Sequence, residues 1–186
     1  MAKRIFPATF QAEDGSQFQE ATMKRTIVRD GKTYKRIPRP KPPSRATRCA
    51  EACTAIRGQL DTLEDLRTKI DNPDELKMSD IQEIVSHFAS EIENLDMGEL
   101  ETLRDEMTEW RDNMDGTGLE NTSKFQEVSD AADTLENQVD ELSSLNFDVD
   151  VRDNSLEEVS DAMGEAIDTI ESALGELENV SFPGMF

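Results

Sequence analysis

From Arg48 onward, apolar side chains recur every three or four residues. One set runs Cys49, Cys53, Ile56, Leu60, Leu63 and Ile70, with Arg67 interrupting it. A second runs Ile81, Val85, Phe88, Ile92 and Leu95. Leu100, Leu103, Met107, Trp110 and Met114 make a third, and Phe125, Val128, Ala132, Leu135, Val139 and Leu142 a fourth. The fifth is Leu156, Val159, Met163, Ala166, Ile170, Leu174 and Leu177. Each is a narrow stripe on a helix, the spacing of a coiled-coil seam rather than of a broad core-facing surface.

Polar punctuation divides these sets. Ser79 with Gln82, Asp96 with Glu99, and Ser155 with Glu158 have the spacing of a capping box. Asn72-Pro73-Asp74, Asp115–Gly118 and Asn146–Asn154 carry break residues, and Asp96-Met97-Gly98 reads as a break or a kink. Four to five helices with short connections follow, and short connections favour antiparallel neighbours. The pentapeptide Glu-Val-Ser-Asp-Ala occurs at Glu127–Ala131 and again at Glu158–Ala162.

The period changes upstream. Thr26–Arg29 and Lys32–Ile37 flank Asp30-Gly31, a two-residue turn signal, because glycine accepts the positive φ of a type I′ turn. Phe6, Phe10 and Phe18 precede it, with Asp14-Gly15 as a second turn. A small sheet of three or four strands is expected here. About 45 residues bury little surface, so it would be marginal alone. Between the two patterns lies a Pro-rich stretch from Arg36 to Arg45. It cannot be helical, because proline fixes φ and restricts the residue before it. The expected fold is mainly α: an antiparallel bundle or coiled coil of four to five acidic helices with a small basic β-hairpin module. Its divisions are residues 1–37 for the hairpin module, 38–46 for the linker, 47–180 for the helices and 181–186 for an apolar tail.

Charge sharpens this division. Residues 1–48 hold 12 Lys/Arg against 4 Asp/Glu, and residues 49–186 hold 8 against 37, for a chain total of −21. Lys24, Arg25, Arg29, Lys32, Lys35, Arg36 and Arg39 form a candidate basic docking patch, which Lys41, Arg45 and Arg48 would extend. Such a strip could contact phosphates, dock an acidic protein, or neutralise the chain's own helices. Carboxylates along rigid helices could instead imitate a phosphate backbone.

The stretch Glu109-Trp-Arg-Asp-Asn-Met-Asp-Gly-Thr-Gly-Leu-Glu-Asn-Thr-Ser-Lys-Phe-Gln-Glu-Val128 resembles helix–loop–helix segments in uncharacterised small acidic proteins of bacteriophages and mobile elements, over residues 109–142. The resemblance implies a Trp-anchored helical hairpin and a phage or bacterial setting. Read from the residues alone, Trp110 and Met114 close one helix while Leu119 and Phe125 open the next against them.

Catalytic chemistry finds little support. Cys49 and Cys53 share a helix face without further metal ligands, and fit a seam as small apolar residues. Asp148, Asp150 and Asp153 lack the glycine and the final glutamate of a calcium loop. His87 has no nucleophile beside it. No catalytic residue, metal site or cofactor is expected. No apolar run is long enough for a membrane span. The expectation is a non-enzymatic interaction or assembly protein of the cytoplasm of a bacterial or phage-infected cell, with a protein partner and homo-oligomers through the seams. The alternatives are a DNA-mimic inhibitor and an accessory protein that binds nucleic acid through its basic module.

Overall fold

The structure, a computed structural model, describes residues 7–38, 41–73 and 76–184. Phe6, Arg39, Pro40, Asp74, Met185 and Phe186, all used in the sequence reading, lie outside the described residues. The chain divides into two units, Met1–Pro42 and Pro43–Phe186.

The first unit is a four-stranded antiparallel sheet. β1 (Ala8–Gln11), β2 (Gln17–Glu20), β3 (Thr26–Arg29) and β4 (Lys32–Arg36) lie in the order β2-β1-β4-β3. Asp30 and Gly31 both take positive φ, +50° and +74°, which makes the β3–β4 connection the type I′ turn that the Asp-Gly pair encodes. The register puts Ala8, Phe10, Phe18, Ile27 and Tyr34 on one face. Phe10 is wholly buried there, stacked on Phe18 with ring centroids 5.5 Å apart, and Tyr34 meets Phe18 edge-on at 4.8 Å. β2 and β4 are separated by β1, so a flat sheet would hold them roughly 10 Å apart. The Phe18–Tyr34 contact therefore requires the sheet to curl around its aromatics. Curling lets so short a segment enclose a core of its own.

The second unit contains, among the described residues, five helices: α1 (Arg45–Asp71), α2 (Met78–Glu93), α3 (Gly98–Met114), α4 (Ser123–Ser144) and α5 (Leu156–Glu178). α2 and α3 are separate helices. Ser44 caps α1 by accepting a hydrogen bond from the Thr47 N–H at 3.1 Å. Arg45 and Ala46, assigned to the linker by sequence, are therefore helical. The box at Ser155 and Glu158 forms as expected, with the Ser155 N–H donating to the Glu158 carboxylate at 2.7 Å. Two caps differ. α2 is capped at Lys77 rather than Ser79, because Asp80 accepts from the Lys77 N–H at 3.0 Å. α3 is capped at Met97 rather than Asp96, whose N–H is taken by Gln59 Oε1 at 2.9 Å.

The apolar stripes meet in one continuous core. α1 packs on α5, α3 and α2, while α4 packs on α3 and α5, so contacts close in the order α1–α3–α4–α5–α1. Two features exceed the expected narrow seams. Leu66, not assigned to a stripe, is buried on α1. α5 buries Ser160, Gly164, Ile167 and Ala173 besides its predicted stripe, because it faces both α1 and α4. The connection after α4 is also more than a break. Its Phe147 and Val151 are buried, and Phe147 meets Phe88 of α2 edge-on at 4.6 Å. Of the apolar tail, Phe182 packs against the core and Lys124 donates to the Gly184 carbonyl.

Phe88 is fully buried at this junction. Replacing Phe88 by Ala is expected to cost about 3–5 kcal/mol in urea unfolding, through lost burial and a cavity.

Candidate functional site

Twenty-nine net negative charges on residues 49–186 leave few cations to distribute. The structure places the arginines of the helices at boundaries between them. Arg45 Nε donates to Glu106 Oε2 at 2.9 Å, and Arg48 binds both Glu99 and Glu106, the latter at 2.7 Å, joining α1 to α3. Arg57 grips Glu178 with two parallel bonds of 2.8 and 3.0 Å, joining α1 to α5. Arg111 meets Asp133 at 2.7 Å, and Arg104 lies 3.7 Å from Asp140, joining α3 to α4. In each pair the residue numbers run in opposite directions along the two helices. Arg45 and Arg48 are thus spent inside the helical unit rather than extending a phosphate-contacting strip.

Arg67 does not disrupt its seam. Its Nε donates to Ser160 Oγ at 3.4 Å, and Ser160 donates to Asp71 at 2.5 Å. A Cβ at position 164 would come within 2.9 Å of the Arg67 guanidinium carbon, so Gly164 leaves the space in which that group lies flat on α5. Neither Ser160 nor Gly164 was singled out by periodicity. A glycine in a helix interior, which costs up to about 1 kcal/mol against alanine, was the available signal.

Elsewhere the carboxylates face outward. Asp61, Glu64 and Asp65 of α1 and Glu165 and Asp168 of α5 are exposed and make no ion pair among the described residues. Such residues three and four apart repel one another.

The basic patch is divided by the pleat. Lys35 points to the outer face with Thr26 and Thr33, whereas Arg29, Lys32 and Arg36 belong to the aromatic face. Lys32 is held by Asp14 at 2.5 Å, and Arg29 lies 5.4 Å from the Phe18 ring centre. The Lys32 bond pulls the Asp14 carboxyl well below the ordinary carboxylate range. Lys24, Arg25, Lys35 and Arg36 are exposed and have no ion pair among the described residues.

The four residues expected to anchor the helical hairpin fall in different surroundings. Met114 is buried, and Trp110 and Phe125 pack against the core. Arg45 and Lys124 approach the Trp110 ring at 5.0 and 5.3 Å, within cation–π range. Leu119 departs from its expected place: it is 48% exposed, in a connection where Gly116 and Gly118 take left-handed backbone conformations. The turn they build sends Leu119 outward.

Both cysteines are free and buried. The Cys49 Sγ–H donates to the Leu177 carbonyl at 3.6 Å, and its neighbour Cys53, together with burial, pushes the Cys49 thiol up. Asp150 accepts from the Arg152 N–H at 2.9 Å, and its carbonyl accepts from Asn154 at 2.8 Å, so this acidic connection is closed by its own turn bonds. Among the described residues no three His, Cys, Asp or Glu side chains converge as a metal site, and no helix is long and apolar enough to cross a membrane. Comparison with family models, with curated proteins and with solved structures finds no match.

Two expectations follow. Met114→Ala should cost about 2–3 kcal/mol, whereas Leu119→Ala should stay within about 0.5 kcal/mol, both read from urea unfolding. Burial pushes Glu106 up, but the bonds from Arg48 and Arg45 outweigh it and hold the carboxyl below its ordinary range. A carboxyl depressed in the folded state stabilises above its unfolded value and loses that contribution as pH falls through the folded one. Glu106→Gln should therefore cost about 1–2 kcal/mol at neutral pH, and the difference should shrink below about pH 4.

Proposed function

We propose that the protein is a non-enzymatic interaction or assembly protein, related to phages or mobile elements and acting in the bacterial cytoplasm. Its helical unit reads as an antiparallel bundle with coiled-coil-like seams. The closed order of helix contacts and the opposed directions of the paired helices support that reading. The basic sheet is a docking module.

One observation carries the proposal: how charge is sorted relative to the core. Most arginines of the helices are consumed at helix boundaries, so the outward faces keep carboxylates without partners among the described residues. The sheet unit keeps exposed cations in the same condition. Two surfaces of opposite sign give electrostatic partner selection, while neither presents an assembled reaction centre. Immobilised full-length protein is expected to retain a saturable protein partner that about 500 mM NaCl releases, as screening of exposed charges requires. A chain that stays monomeric and retains nothing at low salt contradicts the proposal.

The exposed Asp61, Glu64 and Asp65 row on α1 also favours a second reading, imitation of a nucleic-acid backbone. In that case the protein displaces duplex DNA from a DNA-binding enzyme, and Asn/Gln replacements along the row abolish the displacement. Full displacement by the neutralised variant rules mimicry out.

A further inference from the structure

Where the α2–α3 turn meets the end of α4, the helical unit has a hollow of about 510 Å³. Its apolar wall includes Leu95, Met97 and Leu145, each only partly covered. Its rim carries Glu93, Asp96 and Glu101, and no Lys or Arg lines it. These three carboxylates are exposed and unpaired among the described residues, unlike Glu99 and Glu106, which Arg48 holds. The C-terminal ends of α2 and α4 both border the hollow, and neither has a basic residue in its last turn. Helix C-termini carry partial negative charge and favour a cation. The N-terminus of α3 opens at the same place, but Glu99 and Glu101 in its first turn offset its positive end. An occupant must therefore bring an apolar side chain for the wall and cations for the rim.

The chain itself presents a segment of that chemistry. Met23 and Val28 are 68% and 70% exposed, the two most exposed large apolar side chains described. Met23 lies beside Lys24 and Arg25 in the β2–β3 connection, and Val28 is on the outer face of β3, an edge strand, with Lys35 on the same face. Exposed apolar groups beside cations mark a docking surface, and this one complements the hollow in both respects.

We infer that the Met23–Arg29 segment of one copy docks into the α2–α3 hollow of a second copy. The inference rests on the proposal of an interaction protein and names two surfaces through which it acts. Met23 and Val28 cover Leu95, Met97 and Leu145, while Lys24 and Arg25 face Asp96 and Glu101. Because the two surfaces differ, the contact is heterologous. Each copy keeps one free donor and one free acceptor, so association continues head to tail into a ring or an open chain.

Sedimentation velocity of the full chain tests this. At low salt and tens of micromolar the wild type is expected to form species larger than dimers, which dissociate in about 500 mM NaCl. Asp96→Lys/Glu101→Lys removes the acceptor, and Lys24→Ser/Arg25→Ser removes the donor without making it complementary to the altered acceptor, so each variant alone should be monomeric. Mixed in equal amounts, they should form a dimer and nothing larger, because one intact donor meets one intact acceptor. That dimer also shows that both variants are folded. A monomeric wild type overturns the contact between copies, including the case in which the segment docks within its own chain. The wider proposal then stands or falls on partner retention. Variants that still assemble, or a mixture that stays monomeric, overturn the assignment of the surfaces but leave self-association intact.

Discussion

Apolar contact among five helices, four of them net acidic around a charge-balanced α1, is the constraint on which the rest of this molecule depends. Five helices that together carry a large negative charge share one core, and the attraction that gathers them must exceed their mutual repulsion. Burial of Leu, Ile, Val, Met and Phe along the seams supplies it. The arginines then act where they matter most. Arg48, Arg57 and Arg111 sit at the edges of the seams, where a carboxylate of one helix faces the next helix. A lysine could not replace Arg57 equally, because the grip on Glu178 uses two parallel guanidinium bonds.

That arrangement determines what remains outside. Cations drawn into the seams cannot neutralise the outer faces, so carboxylates three and four residues apart, such as Asp61, Glu64 and Asp65, stand unpaired among the described residues. Surface ion pairs contribute little to stability, and their absence costs the fold little. The same absence leaves a strong field for recruiting a cationic surface. In the sheet unit the balance is opposite. Its small aromatic core is closed by curling, and its exposed cations accompany Met23 and Val28, which stay largely exposed.

The seams and the hairpin were legible because they rest on local periods. Residues at intervals of three and four, an Asp-Gly pair, and Ser155 followed by Glu158 each encode geometry within a few positions. Ser160, Gly164, Ile167 and Ala173 were not legible, since they lie beside the single stripe of α5, yet they are buried because α5 has two partners. Phe147 and Val151 sit in an aperiodic connection, and Phe147 finds its place against Phe88. Leu119 was misplaced because the left-handed glycines on either side of Thr117 reverse the chain before it. Ser79 and Asp96 lost their caps to tertiary and local competitors, Asp80 and Gln59. Division of the basic patch between two faces was readable in principle from the two-residue period of β4. Charge counting ignored that period.

Salt dependence of stability tests the central physical claim most directly. Thermal unfolding of the full chain, followed by the helical circular-dichroism signal, should shift to higher temperature as NaCl rises from about 20 to about 500 mM, because screening weakens repulsion between helices more than it weakens the few seam ion pairs. A melting temperature that falls with salt would contradict the claim. It would mean that the ion pairs, rather than the apolar seams, hold these helices together.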